Sequence, residues 1–138
     1  MKKEFNLTVE EFTSPDLVTI DADASLDRAL ELMQENKIHH LAVMKETELV
    51  GVLSERDLFS NIGKSWATMS RVNDIMSTDP LVVHVNDDLG EVAFQLSSHK
   101  VGSAIVLDGE DKPYGIFTTT DALNALVELM FPKAKELF

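Results

Sequence analysis

The sequence has no cysteine, which excludes a disulfide framework, a thiolate metal site and a cysteine nucleophile. It is poor in glycine (6) and proline (4), and 26% of its residues are charged, a composition that fits neither a fibrous nor a disordered chain. It is also short of basic residues. Its 12 Lys and Arg stand against 24 Asp and Glu, a formal net charge of −12. A field of that sign opposes nucleic acid, whose binding depends on clustered Lys and Arg that release counterions. No apolar run approaches the roughly 18 residues that span a bilayer, and the opening Met-Lys-Lys-Glu-Phe-Asn-Leu lacks the apolar stretch of a signal peptide. The expectation is a soluble cytoplasmic protein, without membrane insertion and without nucleic acid as partner. The 44% hydrophobic content over 138 residues is enough for one compact module, 1–138, with a core of its own.

The chain repeats itself. Lys37-Ile38-His39-His40-Leu41-Ala42-Val43-Met44 aligns with Lys100-Val101-Gly102-Ser103-Ala104-Ile105-Val106-Leu107 at an offset of 100 − 37 = 63. At that offset Leu26, Ala29, Leu30 and Met33 fall on Leu89, Val92, Ala93 and Leu96. Downstream, Gly51-Val52-Leu53-Ser54-Glu55-Arg56-Asp57 matches Gly115-Ile116-Phe117-Thr118-Thr119-Thr120-Asp121 at 115 − 51 = 64. The intervening turn has therefore gained one residue. Upstream, Asp16–Ile20 and Asp79–Val85 correspond with a slip of one or two positions that the sequence does not place.

Each half reads as strand, helix, strand, strand, helix. Leu26, Ala29, Leu30 and Met33 lie at i, i+3, i+4 and i+7, one face of a helix. Asp88, three residues before Glu91, gives the second helix a start like a capping box, although Gly90 weakens it by about 1 kcal/mol relative to alanine. Leu41–Met44 and Ala104–Leu107 suit short buried strands. Lys45–Glu48 and Asp108–Asp111 are the following turns, the second with an Asp-Gly hairpin signal. Leu49–Leu53 and Tyr114–Phe117 are the third strands, and closing helices begin near Asp57 and Asp121. Gly63 suits a stop for the first of these helices and Pro132 ends the second. A half of about 60 residues with one short sheet has little core. Packing the halves sheet to sheet about a pseudo-twofold axis would bury both apolar faces and create two clefts between them.

The two Gly-x-x-(Ser/Thr)-x-x-Asp stretches carry the chemistry. Glycine admits close approach to the backbone. The hydroxyl of Ser54 or Thr118 and the carboxylate of Asp57 or Asp121 stand one helical turn apart on the same side. A carboxylate accepts from two adjacent hydroxyls, as a ribose presents them, and a helix start offers N–H groups to phosphate. The same spacing is also a helix cap, with the hydroxyl on the N3 amide. The two roles are compatible.

Both stretches resemble the Gly-x-x-(Thr/Ser)-x-x-(Asp/Asn) signature of cystathionine-β-synthase-type (CBS) domains, and the likeness runs from about Val9 to Met130. It implies a mixed α/β fold, a stand-alone CBS pair (Bateman module) of two β-α-β-β-α repeats at 9–62 and 72–131, joined by a connector at 63–71 that holds Trp66. It implies a regulatory module binding AMP, ADP, ATP, S-adenosylmethionine or NAD. By the same resemblance His39 and His40 are phosphate contacts, as are Arg56 and Thr120 before the motif aspartates. Arg56 is the strongest of these, being permanently charged and able to hold two phosphate oxygens. Ile20, Ile38, Val85 and Val101 become walls of an adenine slot, though each suits plain core equally well. His39 and His40 also suit an exposed pair at the start of a strand. As a metal site they lack a third ligand and point to opposite faces.

The chain departs from the family pattern in three places. Ala42 and Ile105 replace a proline common before the strand valine, and Gly102-Ser103 stands where the first half has His39-His40. The two clefts should therefore differ. The resemblance also implies an unknown protein effector and a homodimer through helices of both repeats, for which Leu58, Phe59, Ile62, Leu123, Leu126, Met130 and Phe131 offer apolar surface, though each suits plain internal packing equally well. A ligand-free scaffold is the competing reading. Catalysis has no support: no nucleophile motif or metal spacing is present, and the Gly63-Lys64-Ser65 run lacks the upstream glycine of a phosphate loop because Leu58 occupies it.

Overall fold

The computed structural model describes residues 7–61 and 70–132. The element order is β1 (Thr19–Asp21), α1 (Leu26–Asn36), β2 (His40–Lys45), β3 (Glu48–Ser54), α2 (Glu55–Asn61), α3 (Val72–Ile75), β4 (Leu81–His84), α4 (Leu89–His99), β5 (Ser103–Leu107), β6 (Pro113–Thr118) and α5 (Thr119–Met130), after a 3-10 turn at Val9–Phe12. The halves are two β-α-β-β-α repeats in a mixed α/β fold, as the pattern of apolar residues predicts. Ile62, Gly63 and Trp66, with most of the expected connector, lie outside the described residues.

Each repeat builds a three-stranded sheet in sequence order, β1-β2-β3 and β4-β5-β6. The first pair in each sheet is parallel and the second antiparallel. The pairing removes the upstream ambiguity. Thr19 pairs with Ala42 and Val82 with Ile105, so the offset is 82 − 19 = 63 here as well, and no slip exists. Ser25 and Asp88, at the same offset, both cap the following helix. Ser25 Oγ accepts from the Arg28 amide at 3.1 Å and Asp88 Oδ2 from the Glu91 amide at 3.0 Å, each worth about 1 kcal/mol. Both helices end on a lysine in the left-handed region, Lys37 (φ 55°) and Lys100 (φ 56°).

The turn expected at Asp108–Asp111 joins β5 to β6, and it is wider than a two-residue Asp-Gly loop. The Asp108 carboxylate accepts from the Glu110 amide at 2.8 Å and the Lys112 amide at 3.0 Å, and the residue at positive φ is Asp111 (61°). An aspartate that folds back on amides two and four residues ahead widens the loop, which accommodates the extra residue of the second repeat. Those amides, Lys112 first, hold the Asp108 carboxyl below the ordinary carboxylate value.

The chain packs as two compact units, a central one (Leu17–Pro80) and a terminal one (Met1–Asp16 with Leu81–Phe138). The repeats and the packed units are offset, because the segment that leads into each repeat joins the sheet of the other. In the central unit Ser77 bridges Val52 and Arg71 bridges Ser25; in the terminal unit Ser14 bridges Ile116 and Thr8 bridges Asp88. Val72 and Val9, again 72 − 9 = 63 apart, are both fully buried at the ends of these segments. Val72 packs with Ala29, Met33, Leu41, Leu53 and Leu58. Val9 packs with Val83, Val92, Leu96, Val106 and Phe117. Each valine contributes roughly 1.5–3 kcal/mol of burial. Leu58 is therefore core, 1% exposed, which is the internal-packing alternative for that residue.

Candidate functional site

The motif glycines sit where the leading segments cross. A Cβ at Gly51 would stand 2.6 Å from the Ser77 carbonyl oxygen, and one at Gly115 would overlap the Ser14 carbonyl oxygen. The close approach that the sequence calls for is thus made by the chain itself.

The motif hydroxyl and carboxylate form reciprocal caps at the two strand-to-helix junctions. In the central unit the Ser54 amide donates to Asp57 Oδ2 at 2.9 Å and the Asp57 amide donates to Ser54 Oγ at 3.1 Å. In the terminal unit the Thr118 amide donates to Asp121 Oδ2 at 2.8 Å, and the Asp121 amide donates to Thr118 Oγ1 at 3.3 Å. Thr118 Oγ1 also donates to Asp121 Oδ2 at 3.0 Å. Asp57 binds through Oδ2 alone, so its Oδ1 has no partner among the described residues and can accept from a ligand hydroxyl.

The hairpin register carries the histidine segment to the same place. A β-bulge after Val43 sets His40 opposite Ser54, and the matching bulge after Val106 sets Ser103 opposite Thr118. The Glu55 amide donates to the His39 carbonyl at 2.8 Å, and the Thr119 amide to the Gly102 carbonyl at 3.1 Å. His39 itself turns outward, 74% exposed, with Nδ1 2.8 Å from Glu55 Oε2. Arg56 is exposed at the first turn of α2 and makes no ion pair or hydrogen bond among the described residues.

The twelve candidate residues therefore fall into two groups. Ser54, Arg56, Asp57, His39 and His40 meet at the junction of the central unit, whose core holds Ile20 and, packed on its edge, Ile38. Thr118, Thr120 and Asp121 stand at the junction of the terminal unit, with Thr120 exposed. Val85 lies in that unit's core, and Val101 is 38% exposed. The junctions differ in charge: the first has Arg56 and two histidines, the second Thr120, Gly102 and Ser103. Sequence reasoning missed Glu55. Its link to His39 depends on the bulge, which no residue pattern announces.

A model of the CBS domain matches residues 9–64 and, a second time, 72–128. The chain belongs to the CBS domain family. A CBS domain-containing protein of Dictyostelium discoideum is 27% identical over 136 residues, covering 90% of this chain and 94% of that protein. The share of the relative that is matched is 94% for that protein and 21% for an inosine-5'-monophosphate dehydrogenase of Thermoplasma acidophilum. Among solved structures, CBSX2 of Arabidopsis thaliana in complex with AMP is 31% identical, with a TM-score of 0.73 over 89% of this chain and 98% of that one. The CBS domain of a bacterial CNNM/CorC family Mg2+ transporter in complex with ATP is 27% identical, with a TM-score of 0.77 and 87% of each chain covered. In the present CBS pair, no helix among the described residues is long and apolar enough to cross a membrane.

Proposed function

We propose that this CBS pair is a regulatory module that binds an adenine nucleotide or another adenosyl compound at its strand-to-helix junctions and reports occupancy by self-association or to a protein effector. The observation that carries the reading is the central-unit junction. It sets at one helix start a carboxylate oxygen of Asp57 and an Arg56 guanidinium that have no partner among the described residues, with the His39–His40 segment beside them, in a chain 31% identical to a protein solved with AMP. Asp57 Oδ1 accepts from ribose hydroxyls, and Arg56 with His39 and His40 takes the phosphate. At the terminal-unit junction Thr118, Thr120 and Asp121 offer hydroxyls and a carboxylate, with Thr120 in the place of Arg56, which suits a ligand of lower negative charge. The role is regulatory rather than catalytic, since a helix cap, an arginine and an exposed histidine paired to glutamate assemble no positioned nucleophile and base.

Thermal unfolding with AMP, ADP, ATP, NAD and S-adenosylmethionine tests this. A ligand at 100 times its Kd stabilises the fold by about 2.7 kcal/mol, several degrees for a chain of this size. No shift with any of them at millimolar concentration in the presence of Mg2+ overturns the proposal. One observation favours a second reading, a ligand-free scaffold. Gly51, Ser54 and Asp57 each have a folding role already, in chain crossing and capping, so the motif persists without a ligand. A scaffold keeps its protein partner when Asp57 and Asp121 are both replaced by asparagine.

A further inference from the structure

In the terminal unit, helices α4 and α5 flank a groove of ≈ 960 Å³ whose lining includes Leu7, Leu89, Phe94, Ala122, Leu126 and Leu129. The Phe94 ring there is 71% exposed. Contiguous apolar surface of this kind marks a place where something docks, and three observations say what.

The first is how the chain enters the groove. The Leu89 amide donates to the Leu7 carbonyl and the Val9 amide to the Asp87 carbonyl, both at 2.9 Å. Between them Thr8, in extended conformation, bridges Asp88 in the antiparallel sense. Residue numbers that fall from Thr8 therefore run beside numbers that rise from Asp88, and Leu7 already lines the groove. The chain before Leu7 is thus aimed along α4. The second observation is length. Residues 1–6, which lie outside the described residues, reach about 20 Å when extended, while α4 from Leu89 to Ser97 rises about 12 Å. The third is charge. The charged residues that line the groove, Asp88 and Glu91, are both acidic, and Met1-Lys2-Lys3-Glu4-Phe5-Asn6 brings two lysines with one aromatic ring.

We infer that this amino-terminal segment lies in the groove as an intramolecular strap, anchored by Phe5. Side chains two apart share one side of an extended chain, so Phe5 follows Leu7 into the groove. It falls about 7 Å beyond Leu7, level with Phe94, which stands about 7.5 Å along α4 from Leu89, and the two rings pair there. Lys2 and Lys3 remain in solvent, held near the surface by a net charge of −12. Any partner of α4 and α5 then has to displace the strap, so the segment governs when that face is available. The matching face of α1 suits no aromatic anchor. At the offset of 63, Phe94 and Ser97 correspond to Glu31 and Gln34, and Glu31 is paired with Arg28 at 2.8 Å. The inference is independent of nucleotide binding at the junctions.

The chain has no cysteine, so introduced pairs report proximity without background. A short bismaleimide is applied to two chains. One carries Glu4→Cys with Ser97→Cys, at an exposed residue lining the groove. The other carries Glu4→Cys with Gln34→Cys, at the matching exposed position of α1. The first pair should link faster by about tenfold or more, the advantage of a local effective concentration. In a mixture of light and isotope-labelled copies the link should join residues of one chain. Adding Phe5→Ser should slow it to the rate of the second pair while far-ultraviolet circular dichroism is kept. In the cysteine-free chain, Phe5→Ser alone should raise the fluorescence of a bound hydrophobic dye severalfold as the groove opens. Equal rates for the two pairs overturn the inference, and so does a rate or a dye signal that Phe5→Ser leaves unchanged. Linking only between light and labelled copies also overturns it, because the groove then holds the segment of a second copy.

Discussion

The Gly51 backbone passes beneath the Ser77 carbonyl so closely that a methyl group on Gly51 would lie 2.6 Å from that oxygen. The contact joins the signature of the first repeat to the segment that leads into the second. Gly51→Ala must push that segment off the edge of β3, where Val52 and Ser77 exchange backbone hydrogen bonds at 2.9 and 3.0 Å. A loss of roughly 1–3 kcal/mol is expected, as for other overpacked sites. Gly115→Ala, against Ser14, should lose at least as much. Chemical denaturation measures both, and unchanged midpoints would contradict the crossing.

The motif aspartates allow capping to be separated from ligand contact. Asp57→Ala removes the acceptor for the Ser54 amide and should lower stability by about 1 kcal/mol. Asp57→Asn keeps one side-chain oxygen for that cap, so stability should hold to within about 0.5 kcal/mol, while the charge that draws ribose hydroxyls is gone. Nucleotide-dependent stabilisation should fall at least tenfold in apparent affinity. If Asp57→Asn binds as wild type does, the carboxylate is a cap and nothing more.

Glu55 opposes the role proposed for His39. Their pair is exposed and contributes little to folding, about 0–1 kcal/mol, so Glu55→Gln should leave the unfolding midpoint almost unchanged. The same substitution frees His39 and removes a negative charge from the junction. Affinity for ATP should then rise more than affinity for AMP, by a few fold, in competition binding at low salt. Equal affinities for wild type and variant would remove Glu55 from the site.

The hairpin between β5 and β6 has a pH signature. Amides of Lys112 and Glu110 lower the Asp108 pKa, so the ionised form favours the folded state. The stabilisation is complete above the pKa of the unfolded chain and is lost as pH falls through the lower folded value. Asp108→Ala should therefore narrow the gap to wild type on acidification from neutral pH to about pH 3, near or below the ordinary carboxylate value. A gap that widens in acid would contradict the assignment.

Much of the fold is legible in the residues. The i, i+3, i+4, i+7 pattern from Leu26 to Met33 locates α1 and its buried face, and the change of offset from 63 to 64 locates the extra residue in the second hairpin. Three features are not legible. An unbroken ladder from the Lys45–Glu48 pair would place His40 opposite Leu53; the bulge moves it opposite Ser54, and Val50 looks no different from its neighbours. The exchange of Val9 and Val72 between repeats is a tertiary choice, because either valine would read the same in its own repeat. Asp108-Gly109 signals a tight turn, yet an aspartate carboxylate that finds two amides outcompetes it. At the site, the residue types were readable, and the contacts that depend on the bulge, such as His39 with Glu55, were not.

Calorimetric titration of AMP into the purified chain, alongside Asp57→Asn and Asp121→Asn, tests the central claim most directly. The account predicts saturable binding that Asp57→Asn abolishes and Asp121→Asn weakens less, because Arg56 stands at the first junction. Saturable binding that both variants retain, or no heat at millimolar AMP, would contradict it.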